Sequence, residues 1–244
     1  MHYLPILTTI ITFVFTGAVF NRFKARHGAH LLLWSIGLAL YGIGALTEVV
    51  MLFTFNAVAL KLWYLSGAML TAAWLGQGTI NLLVRRRGIA PTLNVILIVV
   101  SLLAVVLTFL APITASAAAG YNPAQPLTSQ YKGILTRTGL VTVLTILLNT
   151  YGTFTLVGGA IYSAFIFWRK RVLFNRMIGN ILIAAGAILP AIGGSFITVG
   201  LPDFLYLTEF LGAILMYIGF LQATVPVQVK SASPASPASP ASIN

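Results

Sequence analysis

Apolar residues do not alternate with polar ones along this chain. They run in long blocks, each closed by a short polar or basic stop. Reading the blocks against their stops predicts helices near 3 to 20, 31 to 53, 60 to 84, 91 to 112, 139 to 168, 177 to 200 and 204 to 224. About 20 helical residues cross the hydrocarbon core of a bilayer. The pattern therefore predicts an all-α integral membrane protein: a seven-transmembrane-helix bundle over residues 1–226. Residues 227–244 follow, where Ser, Pro and Ala recur with a period of three; with no apolar content to bury, this tail is expected to be a disordered cytoplasmic extension.

Composition agrees. Hydrophobic residues make up 59% of the 244 and charged residues 7%, and mean hydropathy is +0.97. Soluble domains carry roughly 25% charged residues, so a water-soluble fold is excluded. The net charge of +11 would suggest nucleic acid in a soluble protein, but here the cations mark topology. Arg22, Lys24 and Arg26 follow the first block, Arg85, Arg86 and Arg87 the third, and Arg169, Lys170, Arg171 and Arg176 the fifth. Lys230 in the tail joins that side, whereas the other side keeps only Lys61, Lys132 and Arg137. The positive-inside rule then puts the N-terminus outside and the C-terminus in the cytoplasm, as a multi-pass protein of the cytoplasmic (inner) membrane. The first block begins at Tyr3 with no cation before it and no small-residue cleavage pattern before Asn21, which reads as a first span and not a removed signal.

The longest connection, 113 to 138, falls outside and carries Gly120, Pro123 and Pro126 with Tyr121 and Tyr131. It reads as an irregular segment over the bundle, either a lid or a connector. A parallel internal repeat of three plus one plus three helices is suggested by Leu65, Gly67, Ala68, Leu70, Gln77 and Thr79, which align with Phe210, Gly212, Ala213, Leu215, Gln222 and Thr224. Ile43 and Gly44 similarly fall opposite Ile192 and Gly193. Chance similarity between Gly- and Ala-rich helices is the rival account.

Gly179, Gly186, Gly193 and Gly200 recur every seven residues in the sixth span, a stripe where a neighbouring helix can approach closely. Pro190 interrupts that helix; with Gly193 and Gly194 it forms either a hinge or a packed kink. Trp34, Trp63, Tyr64 and Trp168 near span ends read as interfacial anchors, while Trp74 falls deeper.

Only three acidic residues exist, and Glu48 and Glu209 fall inside spans, where an unpaired carboxylate is costly. Both lie toward the outer side, as does Lys61, so the three are expected to form one outward-facing cluster. It would serve either as a ligand or ion site or as an interhelical ion pair. Lys61 can also snorkel to the headgroups. A second polar group, Gln77, Thr79 and Asn81 with Asn180 and Gln222, lies toward the cytoplasmic ends and is expected to hydrogen-bond between helices.

Support for catalysis is thin. Cysteine is absent, and His2, His27 and His30 lie at the N-terminus and first basic loop, so no metal site assembles within the bilayer from them. No nucleophile elbow, phosphate-cradling loop or haem motif occurs, and residues 204 to 224 hold no lysine for a retinal Schiff base. A non-enzyme is expected, with no cofactor assigned.

The run Leu62-Trp63-Tyr64-Leu65-Ser66-Gly67, then Trp74-Leu75-Gly76-Gln77-Gly78-Thr79 and the arginine stop, resembles an uncharacterised bacterial seven-helix family. Its layout is similar to the sensory seven-helix regions of some histidine kinases. The resemblance implies that architecture and, because no output domain follows the last span, a separate cytoplasmic output protein for any signal; the receptor-like, ligand-binding role expected for the chain rests on the cluster of Glu48, Lys61 and Glu209 and on the 113 to 138 loop. The competing readings are a small-solute or proton-coupled transporter and an accessory subunit docked on other membrane subunits; the lipid bilayer is the partner common to all three.

Overall fold

Each apolar block folds as a helix because lipid offers its backbone no hydrogen-bond partners. The structure, a computed structural model, describes residues 3–170, 174–198, 200–201 and 203–225; the tail expected at 227–244 lies outside the described residues. Among the described residues, seven helices are long and apolar enough to cross a membrane. They are α1 (Leu4–Arg26), α2 (Ala29–Met51), a third span from Ala57 to Leu83, α5 (Ile89–Leu110), α8 (Gly139–Lys170), α9 (Phe174–Thr198) and α10 (Asp203–Thr224). The protein is thus a polytopic membrane protein built as an all-α bundle.

Local chemistry sets the ends. Asn56 caps the third span, its Oδ1 accepting from the amides of Val58 and Ala59 at 2.9 Å each. His27 closes α1 in the left-handed region at φ 50°. That helix runs through Arg22, Lys24 and Arg26, so the first basic cluster occupies its last turns and not a loop.

The third span changes pitch midway. It comprises α3 (Ala57–Trp63), a π-helical stretch Tyr64–Leu70 and α4 (Thr71–Leu83). The widened turn leaves the Ala68 carbonyl to accept from Asn149 Nδ2 of α8 at 2.6 Å, and the Ser66 carbonyl to accept from the Thr71 hydroxyl at 2.8 Å. Such bulges concentrate at functional sites.

Neighbouring contacts close a ring: α1 on α2, α2 on α4, α4 on α8, α8 on α9, α9 on α10, and α10 back on α1. The fourth span, α5, leans on the outside of this ring against the third span and α8. Small residues permit the closest crossings. A Cβ added to Gly186 would meet the Gly212 carbonyl at 2.7 Å, and one added to Gly179 would meet the Gly219 carbonyl at 2.5 Å. The predicted stripe therefore faces α10 through Gly179, Gly186 and Gly193, while Gly200 lies beyond the helix at φ 81°.

The aligned halves do not make equivalent contacts. Gly67 lies against Gly44, whereas its counterpart Gly212 lies against Gly186, one heptad from the aligned Gly193. Gln77 is fully buried, but Gln222 bonds at the periphery to Asn175.

The 113 to 138 connection is more ordered than expected. It holds two short helices, α6 (Ala115–Ala119) and α7 (Leu127–Ile134), joined at their base by an antiparallel bridge between Ile113 and Leu135. Leu127, Ile134 and Leu135 are buried against the bundle, and apolar burial of this kind gives the segment a fixed seat. The Tyr121 hydroxyl donates to the Met51 carbonyl at 2.9 Å, and the Leu127 amide donates to the Tyr206 hydroxyl at 3.1 Å. Burial pushes the Tyr121 phenol up to about 12, so it remains a donor at neutral pH.

Candidate functional site

Under that lid lies a cavity of about 270 Å³. Its walls come from α2, the third span, α8, α9 and α10, and its roof from Thr128 and Tyr131 of α7. The π-helical stretch brings Gly67 and Ala68 onto the wall, and Pro190 and Gly194 line the opposite side. The predicted hinge residues are thus split: Pro190 and Gly194 reach the cavity, while Gly193 packs against Leu205 and Thr208 of α10.

Glu48 and Glu209 both line this cavity. Glu48 is 3% exposed, and its Oε1 accepts from the indole nitrogen of Trp63 at 2.7 Å. The Glu209 carbonyl accepts from the Tyr41 hydroxyl at 2.7 Å, fixing α10 to α2 beside the site. Its carboxyl takes no hydrogen bond among the described residues.

Lys61 does not join them. Its Nζ donates to the Phe109 carbonyl at the end of α5, over 2.6 Å, and it does not line the cavity. The expected three-residue cluster is corrected to two carboxyls and an indole. Depth along the membrane normal placed Lys61 correctly, but its helix turns it outward toward the C-terminal carbonyls of α5, which attract a cation.

Trp63 and Tyr64 are corrected as well: both are buried, not interfacial. Trp63 meets the Tyr131 ring edge-on at 5.1 Å, coupling the carboxylate's partner to the lid. Tyr64 bonds Thr145 of α8 at 2.9 Å, and Arg137 lies 5.2 Å over the Tyr131 ring. The Thr128 hydroxyl is buried with no hydrogen-bond partner among the described residues. Trp34 donates into the bundle to the Leu75 carbonyl at 3.1 Å, Trp74 donates to Ser101 of α5, and only Trp168 stands on the outer surface, 65% exposed.

The second predicted polar group divides. Gln77 Nε2 and Asn81 Nδ2 both donate to Asn94 Oδ1 of α5, at 2.5 and 2.7 Å, and the Tyr151 hydroxyl of α8 bonds Gln77 Oε1. This network ties the outlying α5 to the ring. Thr79 instead takes a long bond from Trp34 at 3.4 Å, Gln222 pairs with Asn175, and Asn180 lines cavities nearer the basic end. Those three do not belong to the Gln77 network. Asn94, Tyr151 and Thr128 were not singled out in the sequence; an Asn and a Tyr within apolar blocks were the available signals.

Comparison with protein-family models, with curated proteins and with solved structures found no match in any of the three.

Proposed function

We propose that the chain is a non-enzymatic, receptor-like membrane protein that binds a small organic cation in the lidded cavity. The observation that supports this reading is that Glu48 and Glu209 share one cavity whose lining, among the described residues, holds no cationic side chain. Carboxyl groups at such depth are costly unless compensated. The compensating charge then comes from outside the chain, as a proton or a cationic ligand. Tyr41, Trp63 and Tyr131 add aromatic rings to the walls, and aromatic faces attract alkylated ammonium groups. The volume lies just under the range of small-molecule sites, about 300–1,000 Å³, which limits the ligand to a compact amine.

The test is native mass spectrometry, with an absorption spectrum, on protein extracted in mild detergent from its own membranes, followed by titration with choline and with a primary alkylamine. A lone protomer that binds an amine, and loses it in Glu48→Gln and Glu209→Gln, supports the reading. A stoichiometric protein partner or pigment would instead assign an accessory-subunit role.

A specific observation also favours transport as the second reading. A smaller cavity of about 60 Å³ shares Leu75, Leu156 and Met216 with the lidded one, and shares Trp34, Asn180 and Phe220 with a wide cavity at the basic end. Three cavities in series along the bundle are what alternating access about Pro190 would use. Amine uptake into proteoliposomes that depends on Glu48 or Glu209 would replace the receptor reading with this one.

A further inference from the structure

The charge of this chain is polarised end to end. Glu48 and Glu209 line the lidded cavity, and the third acid, Asp203, opens α10 at that same end. At the other end of α10, Thr224 lines a wide cavity of about 1,010 Å³ into which four arginines converge. Arg22 and Arg26 come from the last turns of α1, Arg85 follows α4, and Arg176 belongs to the first turn of α9. No carboxylate lines it.

Membrane topology alone asks only that cations lie on one side; it does not ask them to meet. Arg86, Arg87 and Arg169 satisfy that rule from outside the cavity. Four like charges gathered around one cavity repel one another. No side-chain acid is available at this end of the described chain, so the offset to that repulsion has to be an external anion. The remaining wall is built for a mixed ligand. Asn180 and His30 supply polar atoms, while Leu82, Tyr162 and Phe220 supply apolar surface, with the Arg22 guanidinium 6.0 Å over the Phe220 ring. Leu82 and Tyr162 are both exposed, so apolar surface is accessible beside the arginines.

We propose that this cavity binds a phosphate ester, its anionic group held by Arg22, Arg26, Arg85 and Arg176 and its apolar remainder lying along Leu82, Tyr162 and Phe220. Guanidinium forks match phosphate oxygens two at a time, a geometry that a simple halide counter-ion cannot offer. Basic pockets between spanning helices take lipid headgroups by the same chemistry. The phosphate can come from an anionic phospholipid of the adjoining leaflet or from a soluble phosphorylated molecule.

The experiment uses the full chain in a zwitterionic detergent, with binding read as a shift in thermal unfolding on titration with phosphatidylglycerol in one arm and glycerol phosphate in the other. Two paired variants are compared: Arg22→Gln with Arg176→Gln in the cavity, and Arg86→Gln with Arg87→Gln outside it. The cavity pair should weaken binding by roughly tenfold or more, and the outer pair by less than about threefold. A response to phosphatidylglycerol alone identifies the lipid headgroup as the source, and a response to both probes extends the site to soluble phosphate esters. Equal losses in the two variants would reduce the effect to surface charge and overturn the proposal, as would a wild-type chain that binds neither probe. Arg176→Gln alone carries the same comparison should the cavity pair not fold.

Discussion

The indole nitrogen of Trp63 donates to Glu48 Oε1 over 2.7 Å, and the same indole meets the ring of Tyr131 in the lid. One side chain of the third span thus links a buried carboxyl on α2 to the roof of the cavity. Trp63→Phe keeps most of the ring and removes the donor. Stability in detergent should fall by about 1–3 kcal/mol, the cost of leaving a buried acceptor unmet. Glu48→Gln, whose amide oxygen can still accept from the indole, should cost less in thermal unfolding yet abolish amine binding. Equal stability losses in the two variants would show that the pairing does not carry the site.

Thr128→Val separates binding from folding. The Thr128 hydroxyl is buried and has no partner among the described residues, so its removal should leave stability unchanged or raise it by up to about 1 kcal/mol. Amine affinity should hold, because the buried oxygen does not open onto the cavity. Isothermal titration beside a melting curve reads both outcomes.

Helix crossing can be tested at glycines that differ only in their surroundings. Gly186→Ala would drive a methyl into the Gly212 carbonyl and should destabilise by roughly 1–3 kcal/mol. Gly158→Ala on α8 meets nothing within 4 Å and should be neutral to slightly stabilising. Retention of the folded fraction after heating, followed by size-exclusion chromatography, compares the two directly.

The Asn94 network makes a claim about α5. Asn94→Leu removes the acceptor for both Gln77 and Asn81 and should cost about 1–2 kcal/mol, since interhelical bonds in membranes average well under that figure singly. Gln222→Leu, which breaks only the 3.3 Å bond to Asn175, should cost under about 0.5 kcal/mol. Cysteine crosslinking between α4 and α5 should weaken only in the first variant.

The lid anchor has a pH signature. Tyr121 ionises near 10 when unfolded and at about 12 in place, so between those values the folded chain holds a proton that the unfolded chain has lost. Stability therefore falls as pH rises through that window. Tyr121→Phe should lose about 1 kcal/mol at neutral pH with its bond to Met51, and should decline less steeply than the wild type above pH 10.

The sequence by itself determined the seven spans, their approximate ends, the alternating basic stops and the presence of two intramembrane acids. Apolar run length and charge placement are local properties, read without knowing what any helix touches. The glycine stripe on α9 was legible for the same reason, being a period along one helix. Only the tertiary structure decided the azimuth of each helix. In a bilayer the lipid-facing and protein-facing surfaces are both apolar, so no amphipathic stripe announces which way a helix is turned. Lys61 shares the depth of Glu48 and Glu209 but faces Phe109; Trp63 lies where an interfacial anchor would and instead turns inward to Glu48. The π-helical stretch, the seating of α7 over the cavity and the recruitment of Asn94 and Tyr151 all depend on partners distant in the chain, and those partners are set by how the ring closes.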